Sequence, residues 1–169
     1  MVSPFVFLAH RSLLDQHAAH GEIRTWLANQ GECRDVRYVP SSIRRHEVRA
    51  TIDPEVLLGE PHPPETVDLR VAFDVPEDAD YDHYEIQWID GERNYSFGWH
   101  QDGTHPDLGE CHFQLDYRDE TITREPAVFH DSHPVNVLEQ RLSLVPSILE
   151  VVTWDDNRPR LSRWPPLDV

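Results

Sequence analysis

The chain has 169 residues, with 31 acidic against 15 basic and a formal net charge of −16. Its 38% hydrophobic content and five tryptophans exclude a disordered acidic tail, which lacks the apolar residues to build a core. Every basic residue is arginine, and that pattern reads as adaptation to a very salty cytoplasm. Arginine is more weakly hydrated than lysine and more firmly held in ion pairs, while a carboxylate-rich surface keeps a protein hydrated.

The length suits one domain. The opening MVSPFVFLAH has no basic n-region and too short an apolar run for a signal peptide or membrane span, so the expectation is a cytoplasmic chain with no membrane association. Cys33 and Cys111 form no CxxC pair and are expected as small buried thiols.

Residues 11–29 place Leu13, Leu14, Ala18, Trp26 and Leu27 at near-helical spacing, with Gly21 weakening the middle. Residues 35–39 read as a short strand, and Val48, Ala50 and Ile52 alternate as another. The proline-rich EPHPPE at 60–65 continues neither helix nor sheet and is the best candidate for an internal boundary. The alternation then becomes regular: Val67, Leu69, Val71 and Phe73; Tyr84, Ile86 and Trp88; Tyr95, Phe97 and Trp99; Cys111, Phe113, Leu115 and Tyr117. Asp90-Gly91 marks a hairpin. An antiparallel meander of four strands follows, with one apolar face.

Residues 134–152 supply the cover, a helix with Val135, Leu138, Leu142, Val145, Ile148, Leu149 and Val152 along a stripe. Asp131 or Ser132 is placed to cap it, and Pro146 predicts a kink or two shorter helices. The tail from Asp155 is expected along the surface. The fold class is therefore α+β, an antiparallel sheet (meander) with helices packed on one face. A single domain over 1–169 comprises an N-terminal helix and short strands (1–60), the sheet (66–124), the covering helix (134–152) and a surface tail (153–169).

The segment WHQDGTHPDLGECHFQ, 99–114, carries the candidate chemistry. If Trp99 faces the core, His100 points away. If Cys111 and Phe113 face the core, so does His112's neighbourhood on either side, and His112 itself points away. The two histidines thus emerge on one polar face, with His83, Glu85, Gln87, Ser96, Gln114 and Asp116. His130, Asp131 and His133 are placed to approach the same edge. His100, Asp102, His105 and His112 are candidate catalytic residues: imidazoles titrate near neutrality and share general-base and general-acid roles, as phosphodiester cleavage requires, without a cofactor. Arg93 and Arg118 are candidates for stabilising developing phosphorane charge, with Gln114 as a further substrate-binding residue.

Two other readings stay open. The same four residues could bind a divalent metal ion such as zinc, manganese or iron, although their spacing matches no standard zinc motif. They could also form a binding face without catalysis. Eleven histidines are present, and Asp102-Gly103 and His105-Pro106-Asp107 are ordinary turn sequences. His10, His17, His20, His46 and His62 read as structural or surface residues.

The run YDHYEIQWIDGERNYSFGWHQDGTHPDLGECHFQ resembles the TumE-like family, toxin components of toxin–antitoxin pairs. Tyr84 and Gln87 on the first strand, Asp102 and His105-Pro106 in the loop, and His112 opening the next strand carry the likeness, which extends over about residues 66–152. His100 stands where family members commonly have arginine, and His112 is alone in a later run that they fill more densely. The resemblance implies a small cytoplasmic protein paired with an antitoxin protein and acting on RNA or the ribosome. Net negative charge opposes a phosphate backbone, but at molar salt the Debye length falls to ~3 Å and local contacts decide.

Overall fold

The computed structural model describes residues 16–76, 80–128 and 131–165. Leu13 and Leu14 of the expected first helix, and His10, lie outside them. Helix α1 is Gln16–Ala28, and strands β1 (Cys33–Pro40) and β2 (Arg45–Ile52) follow it. The short helix α2 (Pro54–Leu58) begins where the Asp53 side chain accepts from Val56 N at 3.2 Å, and ends at Gly59 in the left-handed region. Next come β3 (Val67–Asp74), β4 (His83–Asp90), β5 (Tyr95–Gln101), a 3-10 turn at Pro106–Leu108, β6 (Cys111–Tyr117) and β7 (Glu120–Ala127). Helix α3 (Pro134–Val151) leads into the hairpin β8 (Val152–Asp155) and β9 (Arg158–Leu161).

The α+β architecture is as the alternation predicts, but the meander is longer. Seven strands, not four, lie in the order β1-β2-β3-β4-β5-β6-β7, and every neighbouring pair is antiparallel. The proline-rich stretch at 60–65 is a connection within this sheet: β2 and β3 on either side of it pair from Glu47↔Ala72 to Ile52↔Val67.

One sheet face is apolar because the period of two puts alternate residues there. Val48 meets Val71, Leu69 meets Trp88, Ile86 meets Trp99, and Phe97 meets Leu115, and all eight are at most 1% exposed. Helices α1 and α3 contact each other and bury Ala19, Ile23, Leu27, Val137, Leu138, Val145 and Ile148 in the same core. Cys33 and Cys111 are free thiols.

Three local expectations are corrected. Helix α3 runs unbroken through Pro146. A helix-interior proline costs about 3 kcal/mol, whereas burying each large aliphatic side chain contributes ~1.5–3 kcal/mol; Leu142, Leu144, Val145, Ile148 and Val151, all buried around it, outweigh it. The buried stripe is also rotated: Val137, Arg141, Leu144 and Val151 are buried, whereas Val135, Leu149 and Val152 are only half-buried. The N-cap is His133, without a side-chain cap bond; Asp131 instead accepts from His133 N at 2.8 Å and Asn136 Nδ2 at 2.9 Å. Beyond α3 the tail, most of it exposed, folds back as the β8–β9 hairpin through Asp156 and Asn157, both at positive φ (49° and 62°), the pattern of a type I′ turn. No helix among the described residues is long and apolar enough to cross a membrane.

Candidate functional site: an imidazole cluster on the open sheet face

The sheet face turned away from α1 and α3 is polar, and the register sets its side chains in rows across the strands. Glu85, His100 and His112 lie in one row, since Glu85↔His100 and His100↔His112 are paired. The next row holds Arg37, Arg49, Arg70, Gln87, Gly98, Gln114 and Arg124, one residue from each strand. Gly98 is required there: a Cβ on it would come within 2.1 Å of the Ile86 carbonyl oxygen, too close for any side chain.

His100 and His112 stand together on this face, as strand parity predicts. Their ring centroids are 5.3 Å apart, and His105 meets His112 edge to face at 4.9 Å. His112 is 2% exposed beneath its neighbours, and His105 is the half-exposed ring of the pair. The loop that returns His105 over the sheet is held by Asp102, whose Oδ1 accepts from Thr104 N at 2.9 Å and Thr104 Oγ1 at 2.7 Å. Asp102 Oδ2 is 4.0 Å from His100 Nδ1.

Gln87 fixes the tautomer of His100. Arg70 Nη1 donates to Gln87 Oε1 at 3.4 Å, which leaves the Gln87 amide nitrogen, 3.2 Å from His100 Nε2, as donor. Neutral His100 then accepts at Nε2 and carries its proton on Nδ1, facing Asp102. Burial lowers the pKa of both His100 and His112; Arg70 and Arg124 push His100 the same way, and the His100 charge pushes His112. Burial opposes ionisation of Asp102, but the two Thr104 hydrogen bonds and the nearby imidazoles hold its pKa below the usual value. A charge on either neighbouring imidazole disfavours a proton on His112.

Beside the cluster runs an ion-pair network absent from the sequence reading. Glu47 binds Arg49 at 2.6 Å and also Arg70, which in turn binds Glu85. The network splits the two carboxylates. Burial raises Glu85 despite Arg70, whereas hydrogen bonds from Arg70 and Arg49 overcome burial and lower Glu47.

Other sequence candidates fall elsewhere. Arg93 and Arg118 sit at the opposite end of the sheet, where Tyr95↔Tyr117 close the β5–β6 pair. Arg93 binds Asp90 at 2.6 Å, and Arg118 lies over the Tyr117 ring. The cations near the imidazoles are instead Arg70 and Arg124. Gln114 is on the expected face, accepting from Arg124 Nε at 2.6 Å and donating to Asp116. His133 pairs with Glu22 of α1 at 3.2 Å, on the helix side, so neither it nor Asp131 joins the cluster; His130 lies outside the described residues. Of the histidines read as structural or surface, His20 is fully buried in the core against Phe73.

Among the described residues, no group of three or more His, Cys, Asp or Glu is arranged to hold a metal ion. What fold and site together define is an open-faced antiparallel sheet with a hydrogen-bonded imidazole cluster at one end. No protein-family model, curated protein or solved structure matches the chain.

Proposed function

We propose that the chain is the toxin-like component of a toxin–antitoxin module, acting in the cytoplasm of a salt-adapted cell, and that its imidazole cluster performs metal-free acid–base chemistry on RNA. The observation that carries this reading is the contact chain His105–His112–His100 with Asp102 at its end. Half-exposed His105 meets the substrate and exchanges the proton. His112 beneath it packs against the ring, and His100, tied to Gln87, packs against His112. The likeness to TumE-like proteins at the same loop supports the toxin reading and implies an antitoxin bound to the chain.

The acid–base reading is favoured over a metal centre because Nε2 of His100 is already engaged by Gln87 and no metal-holding group forms among the described residues. Induced expression of the wild type is expected to arrest growth, and expression of a His105→Ala/His112→Ala variant is expected not to. Co-expression of the neighbouring frame should relieve the arrest and yield a copurifying complex. If wild type and variant grow alike and no neighbour-encoded protein is retained, the proposal is lost.

A further inference from the structure

Arg124 stands on β7, the last strand of the sheet, opposite Gln114, two residues along β6 from His112 and on the same face. Its hydrogen bonds go to neutral groups only: Gln114 Oε1 at 2.6 Å and Thr121 Oγ1 at 3.1 Å. Among the described residues it makes no ion pair, unlike Arg49 and Arg70 in the same row, whose charges Glu47 and Glu85 offset. Asp116, which shares Gln114 and Thr121 with Arg124 as hydrogen-bond partners, is engaged by the Gln114 amide and by the Thr121 hydroxyl. On a chain of net charge −16, an arginine held in place by neutral partners beside three imidazoles is an anion site by its chemistry.

On the other side of the imidazoles lies a second feature. Tyr81 and His83 form a tilted ring pair with centroids 5.9 Å apart, both half-exposed. The Tyr81 hydroxyl lies 2.8 Å from where a Cβ on Gly103 would stand, so this pair borders the Asp102 loop. His83 on β4 and Arg124 on β7 are three strand spacings apart across the sheet, about 14 Å, and four residues apart along the strands, about 13 Å, with the imidazoles between them. Aromatic faces receive bases only when these are unstacked, as in a single strand.

Resting on the acid–base reading above, we propose that Arg124 binds a phosphodiester group of single-stranded RNA next to His105 and His112, with a base further along the same RNA strand stacked on the Tyr81–His83 pair. The strand crosses the open edge of β7 and runs diagonally over the protein strands. Arg124 places the phosphate; the imidazoles next to it move the proton.

Two probes test this separately from toxicity, both at a potassium chloride concentration where each variant melts as the wild type does. Inorganic phosphate, followed through the histidine ring resonances by NMR, should shift His105 and His112 in the wild type. Arg124→Gln should weaken that response at least tenfold, Arg124→Lys by a few fold, and Arg118→Gln at the far end of the sheet not at all. A labelled mixed-sequence single-stranded RNA should bind more tightly than the same strand in a duplex, and Tyr81→Ala should weaken it about tenfold while leaving phosphate binding intact. No phosphate response in the wild type, an unchanged response in Arg124→Gln, or equal affinity for duplex and single strand overturns the proposal. Growth arrest that still depends on His105 and His112 would, in that event, leave the toxin reading standing.

Discussion

His20 shows how a single buried group links the fold to pH. The residue is fully buried in the core, and burial, reinforced by the charges of His17, Arg45 and His46, lowers its pKa to about 4. In the unfolded chain it titrates near 6.5. Between those values the unfolded chain binds more protons than the folded one, so stability rises with pH across that window. It is complete above pH 6.5 and is lost as the pH falls towards 4, by up to about 3 kcal/mol. His100 and His112, also lowered, act in the same direction. Urea unfolding between pH 7.5 and 4 is expected to show this acid loss, and a His20→Leu variant should show a clearly shallower slope. Equal slopes would assign the loss to other groups. At the same scale, the site was legible as far as strand parity reaches. Alternation from Trp99 and from Phe113 was enough to bring His100 and His112 to one face. Which cation serves them was not legible, because Arg93 and Arg118 are close along the chain yet lie at the far end of β5 and β6, while Arg124 comes from a strand the pattern did not reveal.

That strand shows where pattern reading stops at the level of elements. In β7 only Ala127 is buried; an edge strand with partly exposed flanks needs little apolar alternation and so leaves little trace. The β8–β9 hairpin is similarly faint: four residues a side, anchored by Trp154, which packs edge to face on Tyr95 and Tyr117. The central strands were legible because both neighbours and the helices demand a full apolar face. Helix α3 is a different case, in which a local breaker is overruled by burial. Replacing Pro146 with alanine restores the donor that the Leu142 carbonyl lacks. Part of the ~3 kcal/mol gain is offset by the freedom alanine gives the unfolded chain, and a net rise of about 1–2 kcal/mol is expected by chemical denaturation. A loss of stability would mean that the ring itself fills a space in the core.

At the scale of the whole molecule, charge is the dominant variable. A net charge of −16 works against the compact state by self-repulsion, and salt removes that cost by shortening the Debye length from ~10 Å at 0.1 M to ~3 Å at 1 M. The melting temperature should therefore climb steadily as potassium chloride is raised from 0.1 to 2 M, while a flat profile would remove the case for salt adaptation. The sheet's order has its own consequence at this scale. Strands β1 to β7 pair only with chain neighbours, and α1, before the first strand, packs on α3, after the last. A chain divided in the β4–β5 turn would give two fragments, one with α1, α2 and four strands of the sheet, the other with its remaining three strands, α3 and the β8–β9 hairpin. Each would expose an unpaired strand edge and half of an apolar face, and the edge and the helix of one are complementary to those of the other. Co-expressed, the fragments are expected to reassemble into the intact fold, which makes this protein a candidate for split-reporter use.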